Sequence, residues 1–433
     1  MYLIYSLLVT LGVILTAPYY LWRRRSDPAY AGGWRERFGF LPESFQQQER
    51  QAIWVHAVSV GETLAVAGLV GEIQRSFPER KIFLSHVTPA GREAGESRLP
   101  GVAGRFYLPL DWRWAVRAAL DRIRPALLVI VETELWPNLL RAAHDSGARI
   151  ILVNARLSTR SFPRYRLARP FMRRVLSDVD RICAQTPADA ERYRALGARS
   201  EAVVPAGNLK FDSRPPQLGE LVRGLAKALG RARRGPVLVA ASTMPGEEPA
   251  VLQAWTQIRA RYPAALLILA PRHPARFDEI ARILTTTPLP FLRRTSLEIS
   301  DEALAGQLST PEILLLDTIG ELGGIFELAD IVFMGGSLVP TGGHNLLEPA
   351  YWSKPIVFGP HMENFKDLAQ LFLEAQAALQ VSDAGELARV AFKLLDDEAA
   401  RRQMGERAKQ VLEREAGATQ RVLGYIREWM GAT

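Results

Sequence analysis

Apolar and polar positions follow two rhythms along this chain. Apolar runs of strand length are separated by longer segments with apolar residues at helical spacing, which is typical of strands alternating with amphipathic helices. This alternation predicts parallel β-sheets covered by helices. In the first half the predicted strands cover residues 53–58, 81–85, 126–131, 148–153 and 181–184, with helices beginning near Glu62, Trp136 and Asp189. In the second half the predicted strands cover residues 236–241, 264–269, 312–316, 331–334 and 355–358.

The length of 433 residues exceeds what one hydrophobic core usually supports, so we expect two domains. The domain boundary is predicted at residues 208–217, where Gly207, Pro215 and Pro216 interrupt regular secondary structure. The predicted divisions are residues 1–25, 26–212 and 213–433, with helices from about residue 367 to near the end. The fold class is α/β, with two Rossmann-like domains facing a cleft and ligands at the carboxyl edges of both sheets.

A nearly unbroken apolar stretch runs from Leu3 to Trp22 and is followed at once by three arginines. About twenty apolar residues suffice for a helix to cross a bilayer, so the stretch predicts a membrane anchor with the remainder of the chain cytoplasmic. A cleaved signal peptide would carry its charges before the apolar stretch. The alternative is an unusually apolar helix docked on the protein itself, because Pro18 and two tyrosines weaken the far end of the stretch.

Charge is divided unevenly between the two halves. Residues 1–213 carry 30 basic and 20 acidic side chains, and the remainder carries 24 and 26. Eight arginines fall within residues 156–181 among aromatic residues, which predicts a basic surface suited to anionic lipid head groups. No nucleic-acid-binding module is recognisable, so nucleic acid is not an expected partner. The single cysteine, Cys183, excludes an intrachain disulfide.

The densest motif follows the predicted strand at residues 331–334. It contains the glycine pairs Gly335-Gly336 and Gly342-Gly343, then His344-Asn345 and Glu348. A strand that passes through glycines into a helix start presents backbone N–H groups to a phosphate, and a carboxylate one turn later can accept from ribose hydroxyls. This is the pattern of a nucleotide-sugar donor site. The alternative is that the glycines only allow a tight connection to pack.

Two other strand ends in the second half carry groups that suit an anion. Ser242 follows one strand, where its hydroxyl can meet a ligand or merely cap a helix. Arg272 follows the next strand and can pair bidentately with a phosphate. Lys210, at the expected hinge, can reach a leaving phosphate, although an ordinary solvated lysine is an equal alternative.

In the first half, Glu132 and Glu134 come directly after a predicted strand, beside Trp136. A carboxylate in that position is a candidate for a perturbed pKa, and one of the pair can instead cap the helix. The loop with Ser59 and Gly61 lies at an equivalent strand end, with helix-start chemistry as the alternative. No metal site stands out, since the histidines are scattered and the pair Asp178 and Asp180 precedes its strand.

Glu36 lies between arginines and aromatic residues shortly after the predicted anchor. Its local sequence favours an ordinary ion-paired carboxylate. Its place near the membrane also suits a general base that acts on a lipid-borne hydroxyl. Both interpretations stand on the local sequence alone.

Taken together, these motifs resemble the bacterial Kdo transferases, which move 3-deoxy-D-manno-octulosonic acid (Kdo) from CMP-Kdo to the lipid A precursor of lipopolysaccharide. The resemblance covers nearly the whole chain. Its most specific parts are HAVSVGET at residues 56–63, ETELWPN at 132–138, NARLS at 154–158 and GGHN at 342–345. Two departures are Asn208 where the family often has serine, and Met244 where it often has histidine, which puts a role for the Met244 side chain in doubt.

The resemblance implies a glycosyltransferase B fold, inversion at the anomeric carbon, and no metal or cofactor. It implies CMP-Kdo as donor, lipid IVA as acceptor, and the bacterial inner membrane as location, with the catalytic domains on its cytoplasmic side. With the strand-end positions it gives this set of site residues: catalytic Glu36 and Glu132; donor-binding Ser242, Arg272, Gly335, Gly336, Gly343, His344, Asn345, Glu348 and Lys210; acceptor-binding Ser59, Gly61, Glu134 and Arg156.

Three alternatives remain at this stage. Another membrane-associated transferase would use a UDP-sugar, and CMP-against-UDP competition separates it. A sugar-nucleotide epimerase can use the same two-domain fold but has no need of an anchor. A non-catalytic membrane-surface protein would bind lipid without nucleotide affinity.

Overall fold

The structure is a computed structural model, and it describes residues 1–26, 32–212, 219–298 and 300–431. The chain forms two compact units, Met1–Ser213 with Glu415–Thr433, and Arg214–Arg414. The division lies beside the predicted boundary, of which residues 213–217 lie outside the described part. The prediction that everything after this boundary belongs to the second domain is wrong, because the chain returns to the first unit at Glu415.

Both units contain a seven-stranded sheet in which every neighbouring pair is parallel. The first sheet has the strands β1 (Ala52–His56), β2 (Ile82–His86), β3 (Gly104–Tyr107), β4 (Pro125–Val131), β5 (Arg149–Ala155), β6 (Arg181–Ala184) and β7 (Val203–Pro205). The second has β8 (Val237–Thr243), β9 (Leu266–Pro271), β10 (Phe291–Arg293), β11 (Ile313–Leu315), β12 (Ile331–Met334), β13 (Ile356–Phe358) and β14 (Ala378–Gln380).

Helices connect these strands. Those of the first unit are α1 (Tyr2–Ser26), α2 (Trp34–Arg37), α3 (Val60–Ser76), α4 (Pro89–Arg98), α5 (Arg113–Ile123), α6 (Pro137–Asp145), α7 (Phe162–Leu167), α8 (Arg169–Leu176) and α9 (Pro187–Leu196). Those that follow are α10 (Glu220–Arg231), α11 (Glu248–Arg261), α12 (Phe277–Thr285), α13 (Asp301–Gln307), α14 (Leu322–Ile325), α15 (Leu347–Tyr351), α16 (Lys366–Glu374), α17 (Ala384–Asp396), α18 (Glu398–Glu415) and α19 (Ala418–Met430).

The strand orders explain where a ligand would bind. They are β3-β2-β1-β4-β5-β6-β7 in the first unit and β10-β11-β9-β8-β12-β13-β14 in the second. The direction of the connections reverses between β1 and β4, and between β8 and β12. Open α/β sheets bind ligands at the carboxyl edge where this reversal occurs. The two Rossmann-like sheets expected from the sequence are confirmed, and four short strands, β3, β7, β10 and β14, were not predicted.

Helix α19 closes the first unit by packing on the α3 side of its sheet. Val422, Leu423 and Ile426 are buried there in one cluster with Leu69 and Ile73. The Asp212 carboxylate accepts hydrogen bonds from the backbone N–H groups of Gly417 and Thr419, which satisfies donors at the start of the helix. The last helix is therefore part of the core of the first unit.

Candidate active-site residues

Glu36 lies in the short helix α2 and is held by two donors of the first unit. Arg92 Nη1 donates to Glu36 Oε2 at 3.0 Å, and the backbone N–H of Tyr107 donates to the same oxygen at 2.8 Å. The side chain remains 16 % exposed. Within the described residues, Oε1 accepts no hydrogen bond, so one carboxylate oxygen is available to a ligand. The ion pair expected from the local sequence is present, and it involves only Oε2, so that Oε1 can still accept a proton.

The residues that hold Glu36 are themselves fixed. The guanidinium groups of Arg92 and Arg37 lie over the ring of Tyr107, 5.0 and 4.4 Å from its centroid. Arg37 Nη2 also donates to the carbonyl oxygen of Val87 at 2.8 Å. Stacked, hydrogen-bonded groups lose little further freedom when a substrate arrives. Helix α2 is thus anchored at the carboxyl ends of β2 and β3.

The loop after β1 is organised by a buried carboxyl group that sequence reasoning did not assign to the site. Glu62 Oε2 accepts from the Val58 backbone N–H at 2.8 Å, and Oε1 accepts from Ser59 Oγ at 3.1 Å. Gly61 is exposed in the first turn of α3, beside this network. The sequence signal is the Ser-x-x-Glu spacing of a capping box, for which helix-start chemistry is the alternative to a role in the site.

The pKa of the Glu62 carboxyl group is raised to about 7. Burial is the largest cause, and the nearby carboxylates of Glu134 and Glu132 also raise the pKa, while its two hydrogen bonds lower it. Burial also raises the pKa of Glu134, although its interaction with the Trp136 side chain lowers it. Three carboxyl groups therefore lie near one another at the β1 and β4 edges. Such a group of mutually interacting acids is typical of functional sites.

This pKa predicts a pH dependence of stability. The folded pKa lies above the model value of 4.5, so the folded protein binds this proton more tightly than the unfolded chain. That contribution is complete below about pH 4.5 and is lost as the pH rises through about 7. At about pH 4, wild type and Glu62→Gln should have nearly equal Tm, and towards about pH 8 the variant should become relatively more stable. Thermal unfolding across this range checks it, and a pH-independent Tm difference would contradict it.

Glu132 adopts a left-handed backbone conformation, with φ of 58°, at the end of β4. Such a conformation costs a residue with a Cβ about 1–3 kcal/mol and is concentrated at functional sites. Its carboxylate pairs with Lys210 Nζ at 3.4 Å, and both side chains are partly exposed. Lys210, expected at a hinge and in reach of the donor, thus lies in the first unit and is paired with Glu132. Arg156 is exposed nearby, and its carbonyl oxygen accepts from Thr133 Oγ1.

His56 is buried at the end of β1 and contacts Trp136. Its Nε2 accepts from the indole N–H of Trp136 at 3.2 Å, and its Nδ1 lies 2.9 Å from Ser85 Oγ. Burial lowers the pKa of His56 to about 3. The ring is therefore neutral and orients Trp136 between β1 and β4.

In the second unit, the Gly-rich turn after β12 is shaped by a carboxylate and not by a phosphate. Glu247, fully buried, accepts four backbone N–H bonds. Its Oε2 accepts from Met244 at 2.9 Å and Gly336 at 2.6 Å, and its Oε1 accepts from Ser337 at 2.9 Å and Leu338 at 2.8 Å. Glu247 occupies the anion-binding turn that the sequence had predicted for the donor.

The glycine N–H groups are thus already used. Gly335 N–H donates to the Ala241 carbonyl oxygen at 2.7 Å, and Gly343 N–H donates to the Gly336 carbonyl oxygen at 2.7 Å. These three N–H groups therefore have acceptors within the protein, and the assignment of Gly335, Gly336 and Gly343 to the donor site stays a prediction. Gly335 has a different reason to be glycine, because an added Cβ would lie 2.6 Å from the Ser242 carbonyl oxygen. The glycines let the loops after β8 and β12 touch.

Ser242 is strained at this contact, with φ of 56°, and it interrupts the pairing of β8 with β9. A Cβ added to Gly336 would lie 3.0 Å from the ring of His344. Burial, together with the positive charges of Arg272 and His273, lowers the pKa of His344 to about 4. A neutral His344 therefore lies close to Arg272. The exposed guanidinium of Arg272 makes no ion pair within the part of the chain that the structure describes.

Helix α15 has five residues and carries Glu348 in its first turn, with an exposed side chain. Asn345 Oδ1 accepts from the Leu347 backbone N–H at 3.2 Å, so one donor at the helix start is already capped. The structure thus brings Ser242, Arg272, His344, Asn345 and Glu348 to the carboxyl edge of the second sheet. Among the described residues there is no group of three or more His, Cys, Asp or Glu side chains able to hold a metal ion. Asp178 and Asp180 pair instead with Arg141 and Arg149.

Comparison with known proteins gives concordant matches. The family model described as 3-deoxy-D-manno-octulosonic-acid transferase (Kdo transferase) matches residues 32–213. The 3-deoxy-D-manno-octulosonic acid transferase of Haemophilus influenzae is 34 % identical over 93 % of both chains. That of Bordetella pertussis is 36 % identical over 95 % of this chain and 96 % of its own.

Among solved structures, a putative UDP-N-acetylglucosamine 2-epimerase from Listeria monocytogenes is similar in fold. It covers 89 % of this chain and 98 % of its own, with a TM-score of 0.59 and 13 % sequence identity. At that identity the likeness concerns the fold alone.

Proposed function

Because the chain belongs to the Kdo transferase family of glycosyltransferases, with a glycosyltransferase B fold, we propose that it transfers Kdo from CMP-Kdo to a hydroxyl group of lipid IVA, with inversion and without a metal ion. The observation that carries the chemical step is the arrangement at Glu36. One carboxylate oxygen is fixed by Arg92 and Tyr107, and the other accepts no hydrogen bond within the described residues.

In this proposal Glu36 removes the proton from the acceptor hydroxyl as its oxygen attacks the anomeric carbon of Kdo. The bond from that carbon to the phosphate oxygen breaks, and CMP leaves with the electron pair. Attack opposite to the leaving group inverts the configuration. A base whose second oxygen is anchored keeps its orientation during the transfer.

The second unit would hold the donor. Arg272 pairs with the phosphate, the neutral His344 donates one hydrogen bond, and Ser242, Asn345 and Glu348 contact the nucleotide sugar. Gly335, Gly336 and Gly343 allow the chain to approach the ligand closely, and their N–H groups serve the protein itself. Lys210, which pairs with Glu132 in the first unit, remains a proposed ligand of the donor phosphate.

The acceptor would be bound by the first unit through Ser59, Gly61, Glu134 and Arg156, with Glu132 as a second carboxylate important for activity. We place the enzyme at the cytoplasmic side of the bacterial inner membrane. Helix α1 supports membrane association, because Tyr2–Tyr19 has a mean hydropathy of 1.7 over 18 residues. The exposed arginines of α7 and α8 support contact with anionic lipids.

Metal independence is tested by transfer in EDTA. We expect the initial rate with excess EDTA to equal the rate with added Mg²⁺, because Arg272 and the fixed dipoles of the site take the place of a cation. The configuration of the newly formed Kdo linkage, read by NMR, tests inversion in the same product. A rate that falls with EDTA and returns with Mg²⁺ would contradict the proposal.

Donor identity is tested by ligand competition. CMP should bind with measurable affinity by calorimetry and inhibit the transfer, and UDP should compete much more weakly. Preferred binding of UDP, with isomerised UDP-sugar and no lipid product, would instead support an epimerase.

A further inference from the structure

Helix α1 lies with one face directly on the first unit. Four polar side chains in its first three turns, Tyr2, Tyr5, Ser6 and Thr10, lie on this face and are paired with the globular part. The hydrogen bonds join Tyr2 OH to Asp178 Oδ2 at 3.1 Å, Tyr5 OH to Asp111 Oδ2 at 2.8 Å, Asn138 Nδ2 to Ser6 Oγ at 3.0 Å, and Trp112 Nε1 to Thr10 Oγ1 at 3.0 Å. The partners Asp178, Asp111 and Asn138 are buried.

The first turn of α1 is also packed on α8. The ring of Phe171 lies 5.5 Å from that of Tyr2 and 5.8 Å from that of Tyr5, measured between centroids. Aromatic contacts of this kind add to burial and prefer a defined geometry. The N-terminal end of the helix therefore packs on the first unit, whose described residues resume at residue 32.

The opposite face of α1 is apolar and uncovered. Its side chains are 50 to 87 % exposed in the first fifteen residues, and they are Leu3, Ile4, Leu7, Leu8, Leu11, Ile14 and Leu15. Trp22, further along the helix, is 65 % exposed. Their spacing of three and four residues places them on one side of the helix. A contiguous apolar strip of this length on a monomer surface indicates an interaction site.

These contacts do not fit a helix that crosses a bilayer. Eighteen residues of helix extend about 27 Å, which would put Tyr2 on the far side of the hydrocarbon core from the globular units. Tyr2 instead bonds to Asp178, and Thr10 to Trp112, both in the globular part. We propose that α1 lies in the plane of the membrane interface, with its apolar face in the acyl-chain boundary and its polar face on the first unit. The inference rests on the proposed membrane association.

The positive charges beside α1 indicate that this surface binds anionic lipid. Exposed arginines occur along α7, α8 and the preceding loop, in the same segment as Phe171, which α1 touches. They are Arg160, Arg164, Arg166, Arg169, Arg173 and Arg174, and within the described residues none of them forms an ion pair. Leu167 among them is 88 % exposed. An in-plane amphipathic helix flanked by basic residues is the usual arrangement for binding a negatively charged bilayer surface.

The in-plane position connects the membrane surface to the catalytic carboxylate. Trp112, bonded to Thr10, stacks on Phe38 with ring centroids 6.0 Å apart. Phe38 ends helix α2, which carries Glu36. Helix α1 therefore acts as a positioning element that holds α2 beside the acyl-chain boundary, where a lipid hydroxyl would arrive.

Topology decides between an in-plane and a spanning helix. One variant carries a cysteine in a short extension before Met1, and the matched variant is Ser200→Cys, on the exposed surface of the first unit. The parent chain is the control, because Cys183 is fully buried. Cells with a permeable outer membrane and an intact inner membrane are treated with an impermeant maleimide, before and after lysis. We expect both cysteines to react only after lysis.

Each other outcome is separable. Reaction of the N-terminal cysteine in intact cells, with Ser200→Cys protected, means that the helix spans and overturns the inference. Reaction of both in intact cells keeps the in-plane helix and overturns the proposed cytoplasmic location. Recovery of the protein in the soluble fraction overturns the membrane association and the inference with it.

Vesicle binding tests the charge component. Full-length protein should sediment with vesicles of phosphatidylglycerol and phosphatidylcholine more than with phosphatidylcholine alone. Arg164→Ala and Arg166→Ala should each weaken that binding by about fivefold. Equal binding to both kinds of vesicle, unchanged in the two variants, would overturn the commitment to anionic lipid.

Discussion

Glu36→Gln is expected to lower kcat by roughly 10²- to 10⁴-fold, the range typical for loss of a positioned general base. Glutamine matches glutamate in shape, and its carbonyl oxygen can still accept from the Tyr107 backbone N–H. It cannot remove a proton from the acceptor. The KM for CMP-Kdo should change little, because the proposed donor-binding residues other than Lys210 lie in the second unit.

Steady-state kinetics with both substrates checks this expectation, and thermal unfolding shows whether the variant is folded. Glu43→Gln is the matched control, since Glu43 is an exposed carboxylate in the same part of the chain and should leave kcat unchanged. If Glu36→Gln keeps wild-type kcat with intact folding, Glu36 is not the base.

Glu247→Gln is expected to disrupt the donor side. The amide oxygen can accept from two of the four N–H groups, while the amide nitrogen faces the other two, which lose their acceptor. Each buried donor left without a partner costs about 1–3 kcal/mol, so the loops after β8 and β12 together lose about 2–6 kcal/mol. The Tm should fall, and the affinity for CMP should fall by at least about tenfold because Ser242 and His344 lose their fixed positions.

Calorimetric titration with CMP and thermal unfolding measure the two effects. The matched control is Glu406→Gln, an exposed glutamate of the same unit, which should change neither. Wild-type CMP affinity in Glu247→Gln would show that the turn needs no internal anion. A lowered affinity that returns when the salt concentration or temperature is reduced would locate the effect in loop order.

Most of the fold was readable because the strands of a doubly wound sheet are short and apolar on both faces. Strands β1, β4 and β12 were predicted within one or two residues of their ends. Strand β14 was missed, because Ala378–Gln380 is a three-residue edge strand within a helical region. Helix α19 has the helical period that the sequence predicts, but periodicity does not say which core buries the apolar side.

The site was readable where a residue follows a strand directly. Glu132, Ser242 and Arg272 were predicted in this way, and the structure places them at the carboxyl edges of the sheets. Glu247 was missed, since its partners Gly336 to Leu338 are about ninety residues away, as the separations in its hydrogen bonds show. The glycines indicated an anion in this turn, and the anion in the structure is the carboxylate of Glu247.

The N-terminal helix shows another limit of reading hydropathy alone. The average over Tyr2–Tyr19 is high enough for a span, whereas the placement of Tyr2, Tyr5 and Thr10 on one face is what the structure uses. The notion of an apolar helix docked on the protein, open from the sequence, describes one face of α1. The exposed face retains the character of a membrane anchor.

The central claim is Kdo transfer to a lipid, and lipid mass tests it most directly. Purified protein is incubated with CMP-Kdo and lipid IVA in the presence of EDTA, with donor and acceptor each left out in turn and with Glu36→Gln in parallel. The account predicts that the lipid gains whole Kdo units only in the complete wild-type reaction. An unchanged lipid mass, with CMP binding intact and the protein folded, would contradict it.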